Sequence, residues 1–246
     1  MPYDHAVKMS RDEWLLAIGV SSDEVPEKII LEGTWWHKER YPVRLEYLTK
    51  VRELKFPDMY LGEYEGSTIM FCCAYGAPRA VEPVHIFGVL GTKKVIQIGS
   101  CGGLQPDVQT GDIVIPTTSH VGEGASQYYG QSISSTATHG LVESADRALT
   151  NLGLKTHVGA HISTSALLQQ SDEQVEKWQQ AGLLGVDMET SAVYSAAEYF
   201  KMQRVSMLFV WDELLNNRTW LDEFSAAEKS KQTAANRAIF EVALKL

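Results

Sequence analysis

The chain has 246 residues, 44% of them hydrophobic and 22% charged, with 22 Lys+Arg set against 31 Asp+Glu for a formal charge of −9. That length buries one sizeable α/β core without disulfides or a structural metal, and the acidic balance argues against a nucleic-acid-binding surface. Cys72, Cys73 and Cys101 form neither a disulfide framework nor a spaced metal motif, so a reducing, cytoplasmic setting is expected.

The opening MPYDHAVKMSRDEW lacks the basic and apolar regions of a signal peptide. No apolar run approaches the ~20 residues of a membrane span. The pattern reads as an N-terminal extension over 1–26 and one domain over 27–246. Strands are expected at Lys28–Leu31, Thr68–Ala74, Val95–Gly99, Asp112–Ile115, His157–Thr164 and Val205–Trp211. Several are continuous apolar runs, as suits strands covered on both faces. Helices are expected at Ala80–Leu90, Gly140–Leu152, Asp172–Ala181, Thr190–Phe200 and Ala226–Leu246, with Ser171 as an N-cap. This alternation predicts a mixed, largely parallel sheet, and ligands in such sheets bind where strands end.

Three strand ends and one further segment stand out. Thr68–Ala74 runs into Tyr75-Gly76-Ala77-Pro78-Arg79, a turn that offers backbone N–H groups to an anion or merely starts a helix. Val95–Gly99 runs into Ser100-Cys101-Gly102-Gly103, where bare backbone admits a ligand or makes a tight turn. Val205–Trp211 delivers Asp212 at a low-dielectric boundary, suited to a general acid or to a turn. Gly185-Val186-Asp187-Met188-Glu189 leads into the small-residue helix TSAVYSAAEY. Glu189 there either accepts hydrogen bonds from a diol or complements the helix dipole.

Together, IGSCGGLQPDVQTGDIVI (98–115), GVDMETSAVYSAAEY (185–199) and WDE (211–213) resemble the nucleoside phosphorylase superfamily, in its order and approximate spacing. This is the branch of purine nucleoside and uridine phosphorylases and of methylthioadenosine/adenosylhomocysteine nucleosidases. The resemblance implies a single-domain three-layer α/β sandwich with a mixed, partly barrel-like central sheet, assembled as a homodimer or a trimer of dimers. It implies a small-molecule nucleoside substrate, no metal or organic cofactor, and inorganic phosphate as co-substrate. By position, Met188 and Glu189 would hold the ribose, with Glu189 on its 2′ and 3′ hydroxyls. Ser100, Cys101 and Gly102 would line the base and phosphate side. Asp212 would protonate a purine-like base with assistance from Lys229, and His5 would reach the 5′ hydroxyl of a neighbouring subunit's ligand.

The phosphate ligands depart from that pattern. Gly33 is kept, but His37 and Gln97 stand where the superfamily has arginines, and Arg52 matches a third arginine lent across an interface. Losing two such cations removes on the order of 3–6 kcal/mol of phosphate binding. Three readings follow. Arg79 or Arg40 substitutes and the chain is a phosphorylase. Water replaces phosphate, with Glu32 as its base, and the chain is a nucleosidase. Or the chain binds nucleosides without cleaving them. Tyr128, Tyr129, Trp35, Trp36 and Trp211 are offered as stacking surfaces, because Ser165-Ala166-Leu167-Leu168 brings no aromatic ring.

Overall fold

The structure is a computed structural model that describes residues 8–216, 218 and 221–246. In chain order the elements are α1 (Arg11–Ile18), β1 (Lys28–Gly33), α2 (His37–Leu45), β2 (Thr49–Glu53), β3 (Met59–Tyr64), β4 (Ser67–Cys73), α3 (Ala77–Leu90), β5 (Lys94–Gly103) and β6 (Ile113–Gly122). They continue with β7 (Ser134–Thr136), α4 (His139–Asn151), β8 (Thr156–Thr164), α5 (Asp172–Gln180), β9 (Gly185–Asp187), α6 (Thr190–Tyr199), β10 (Gln203–Glu213) and α7 (Ala226–Lys245).

The apolar runs of β1, β4 and β5 form parallel neighbours, β1 lying between the other two. Because alternate strand residues face opposite ways, β1 sends Ile30 toward α4 and α7, and Ile29 and Leu31 toward α1, α3 and α6. β4 divides likewise, with Ile69 and Phe71 on the first side and Met70 and Cys72 on the second. The result is the three-layer sandwich the resemblance implies. Beyond β4 the sheet ends in the antiparallel strands β3 and β2. On the other side, β5, β9, β8, β6 and β10 pair in succession and β10 returns to β5, closing a five-stranded barrel. Among the described residues no helix is long and apolar enough to cross a membrane.

Several elements were not visible in the sequence pattern. β6 continues past Ile115 to Gly122, its pairing with β8 shifting between Pro116 and Thr118. Proline has no N–H to give the ladder, so a register shift there is the physical consequence. α2 forms despite Pro42, with His37, Arg40, Tyr41 and Arg44 sharing one face by helical spacing. Residues 8–26 include α1, whose Ile18 and the following Val20 are buried in the core beside α3.

The barrel is polar beneath α6. Ser206 on β10 donates to Gln97 Oε1 on β5 at 2.5 Å, and Gln97 Nε2 donates to Asp187 on β9 at 3.0 Å. Ser163 on β8 donates to Asp187 at 2.6 Å and lies 3.3 Å from Ser119 on β6, which in turn meets His161 Nδ1 at 3.1 Å. Each barrel strand thus contributes to one connected, buried chain of hydrogen bonds. Tyr194 of α6 ties this barrel to the helix layer: its hydroxyl donates to Pro116 O at 2.9 Å and accepts from Ser206 N–H at 2.8 Å. Tyr194→Phe leaves both backbone groups without that partner, and a loss of about 1–3 kcal/mol is expected. Urea denaturation checks this, and an unchanged midpoint would contradict the bridging role.

Candidate active site

One cavity opens where β1, β5, β9 and β10 end. Its walls include Glu32, Gly33, Trp35, Trp36, Arg40, Tyr75, Ser100, Cys101, Gly102, Leu167, Met188, Glu189, Trp211 and Asp212. Three backbone features bring these groups together. Gly33, the last residue of β1, lies opposite Gly99 within β5. A Cβ on Gly99 would stand 3.0 Å from Gly33 O, so the two strands close tightly there only without side chains. On β10, Trp211 is the extra residue between Val210 and Asp212 in the pairing with β5. A bulge of this kind re-aims the following side chain, and Asp212 reaches the cavity while 7% exposed.

The third feature is the turn from β9 into α6. Asp187 accepts from Thr190 N–H at 3.1 Å and from the Thr190 hydroxyl at 2.6 Å, so it, and not Glu189, satisfies the helix start. Glu189 turns to the cavity instead. Gly76 N–H donates to its Oε1 at 2.6 Å. Gly76 has φ 82 and ψ 149, a conformation open essentially to glycine alone, and this aims its N–H at the carboxylate. On the opposite side, a Cβ on Gly33 would stand only 2.6 Å from Glu189 Oε2.

Electrostatically this carboxyl is unusual. Burial, then the nearby charge of Asp187, raise the Glu189 pKa to about 8, against the opposing effect of the Gly76 and Met188 N–H groups. Burial and the charge of Glu189 also push the Tyr75 phenol up to about 12. The Cys101 thiol is driven well above its ordinary value by burial and by the charges of Asp187 and Asp212. A thiol held protonated is no nucleophile, so Cys101 contributes shape to the wall.

Of the residues singled out in the sequence, Gly33, Ser100, Cys101, Gly102, Met188, Glu189, Asp212 and Glu32 meet in this cavity. Trp35, Trp36 and Trp211 also line it, and Trp35 packs against Tyr75 with ring centroids 5.0 Å apart. Tyr128 is solvent-exposed and Tyr129 contacts His85, away from the cavity. His5 lies outside the described residues.

Apart from Arg40, which also lines the cavity, the remaining residues singled out lie elsewhere. Gln97 is buried in the barrel's polar chain, its carbonyl oxygen accepting from Thr190 and Ser206. His37 is exposed at the start of α2, 3.2 Å from Trp35 O. Arg52 binds Glu24 at 2.7 Å and Gly19 O at 3.2 Å. Arg79 holds Glu82 at 2.5 Å and Pro57 O at 2.9 Å. Lys229 is exposed in the first turn of α7 and does not line the cavity.

Glu32 does line the cavity, but not as an unpaired base. Arg44 grips it with Nε at 2.8 Å and Nη2 at 3.1 Å, and Arg40 Nε stands 3.3 Å away. Both of its oxygens are thus occupied by the Arg44 guanidinium, and neither is presented free to a water in the cavity.

A model of the family described as the phosphorylase superfamily matches residues 39–243. The chain belongs to the phosphorylase superfamily. Its relatives in the superfamily include a DeoD-type purine nucleoside phosphorylase of Geobacillus kaustophilus, 27% identical over 242 residues that cover 92% of this chain and 95% of the relative. Another is a guanosine phosphorylase of Halorubrum lacusprofundi, 31% identical over 156 residues covering 62% of this chain and 63% of the relative. A crystal structure of uridine phosphorylase from Vibrio fischeri ES114 shares the fold with a TM-score of 0.79 at 24% identity, over 92% of this chain and 93% of that one. As a member of this superfamily, the chain is an enzyme of the nucleoside phosphorylase type.

The close approach of Gly33 to Glu189 gives a test of the site's geometry. In Gly33→Ala the new methyl group meets the mobile end of a side chain, so the fold survives while the carboxylate is displaced. Catalytic efficiency should fall about 100-fold, the scale of a 1 Å misplacement, with the melting temperature within a few degrees of wild type. Near-normal activity would show that Glu189 does not need its observed position.

Proposed function

We propose that the enzyme cleaves the N-glycosidic bond of a purine-like nucleoside by phosphorolysis, giving the free base and ribose 1-phosphate. The observation that carries this reading is that Glu189 and Asp212 face one cavity from separate strand ends, both buried. In the reaction, the C1′–N bond breaks with its electron pair passing to the base, and a phosphate oxygen forms the new bond to C1′. Positive charge grows on the sugar and negative charge on the leaving base.

Glu189, on this reading, accepts hydrogen bonds from the 2′ and 3′ hydroxyls and fixes the reacting carbon. Its attraction for the sugar strengthens as positive charge develops there. Asp212 gives a proton to the base as the bond breaks, an assistance typically worth ~10²–10⁴ in rate. Met188 and the wall of Trp35, Trp36, Leu167 and Trp211 offer apolar surface to the sugar and base. The acceptor is taken as phosphate and not water because Glu32, the expected base, is held by arginines. A homodimer or trimer of dimers is part of the proposal, with His5 and Arg52 as the residues a neighbouring copy would bring to the site.

A panel of purine and pyrimidine nucleosides, incubated with and without phosphate, tests the reading through its sugar product. Ribose 1-phosphate from purine nucleosides supports it. Free ribose formed without phosphate would replace it with hydrolysis, and binding without cleavage would remove enzymatic turnover altogether. Asp212→Asn is expected to lower kcat by 10²-fold or more while nucleoside affinity persists. Unchanged kcat would take the proton-donor role away from Asp212.

A further inference from the structure

Among the described residues lining the cavity, Arg40 is the single cation, and it faces Glu32, Asp187, Glu189 and Asp212. We infer that Arg40 binds the acceptor phosphate, taking over from one helical turn further along α2 the charge that His37 and Gln97 do not supply. The inference rests on the phosphorolysis reading and assigns the acceptor site to residues of this chain.

The simpler role for Arg40, neutralising Glu32, is already filled. Arg44 holds both oxygens of Glu32, and its Nη2 also reaches the carbonyl of Asn236 at 3.2 Å, while its guanidinium lies 4.6 Å from the Phe240 ring centre. Arg44 is thus fully committed and buried. Arg40 stands near Glu32 without that fit. Its Nε is 3.3 Å from Glu32 Oε1, yet it makes no hydrogen bond and is buried. A buried guanidinium N–H without an acceptor is costly, and an incoming anion removes the cost.

Charge and position agree with this. Glu32, Arg40 and Arg44 sum to one net positive charge at the cavity edge, local to a chain that is acidic as a whole. The α2 spacing explains the placement: Arg40 shares a helix face with the buried Tyr41 and Arg44 and is itself partly buried where that face meets the cavity. Ser100 and the backbone at Gly33 complete the wall on which a tetrahedral anion would rest.

The experiment uses the full chain, inorganic phosphate, and whichever nucleoside of the panel is turned over. Arg40→Gln is expected to raise the KM for phosphate about ten- to a hundred-fold, with the dissociation constant of the nucleoside within twofold of wild type. Arg40→Lys should recover part of the loss, since it keeps the charge without the planar fork. Phosphate alone should raise the melting temperature of the wild type and not that of Arg40→Gln, a readout independent of turnover. Ribose 1-phosphate formed with an unchanged phosphate KM in Arg40→Gln would overturn the assignment and leave the phosphorolysis reading standing. Free ribose formed at a rate indifferent to phosphate would overturn both.

Discussion

Asp187 is the point on which the site depends. It is a buried carboxylate that accepts from Gln97, Ser163 and both donors of Thr190, so β5, β8 and the start of α6 are fastened to β9 at one residue. A buried charge is tolerable only when its oxygens are satisfied in this way. Once it is, the chain from Asp187 to Glu189 has little freedom, and Glu189 must face the cavity. Breaking one partner therefore does more than lose a hydrogen bond: it loosens the geometry of the carboxyl two residues away.

Burial first, and then the charge of the fastened Asp187, raise the pKa of Glu189. Gly76 supplies one N–H to Glu189 and Gly33 leaves room for it. A sugar diol would provide the donors that the protein withholds. The carboxyl is thus positioned by Gly76 and Gly33 in the unliganded chain. Arg40 lines the same cavity in the complementary condition, a cation whose buried Nε–H has no partner.

Much of this was legible in the sequence because the relevant elements are short, apolar and punctuated by small residues. The runs TIMFCCA, VIQIG and VSMLFVW are strands covered on both faces, and the acid–Met–acid triplet followed by a small-residue helix marks a tight approach. The β2–β3 hairpin was not legible, being edge strands with charged residues and no strict alternation. β9, at three residues, is too short for any period to show. Gln97 looked like a lost phosphate ligand, yet its physical role is to bridge β10, α6 and Asp187 inside the barrel. The Glu32–Arg40–Arg44 group was hidden because Pro42 obscures the helix. The signal was the spacing of His37, Arg40, Tyr41 and Arg44, which puts cations one and two turns from the loop that holds Gly33.

Burial and the charge of Asp187 raise the Glu189 pKa to about 8, so on the proposed reading the free protein holds this proton and releases it when the ribose hydroxyls bind. A raised pKa keeps the proton bound at neutral pH, whereas hydroxyl donors favour the carboxylate and lower that pKa, so binding must release a proton. Calorimetric titration of a purine nucleoside at pH 7, without phosphate and in buffers of different ionisation enthalpy, counts that proton directly. Release approaching one proton per site is expected, falling away as the pH is raised past 8. Binding with no change in bound protons at pH 7 would contradict it.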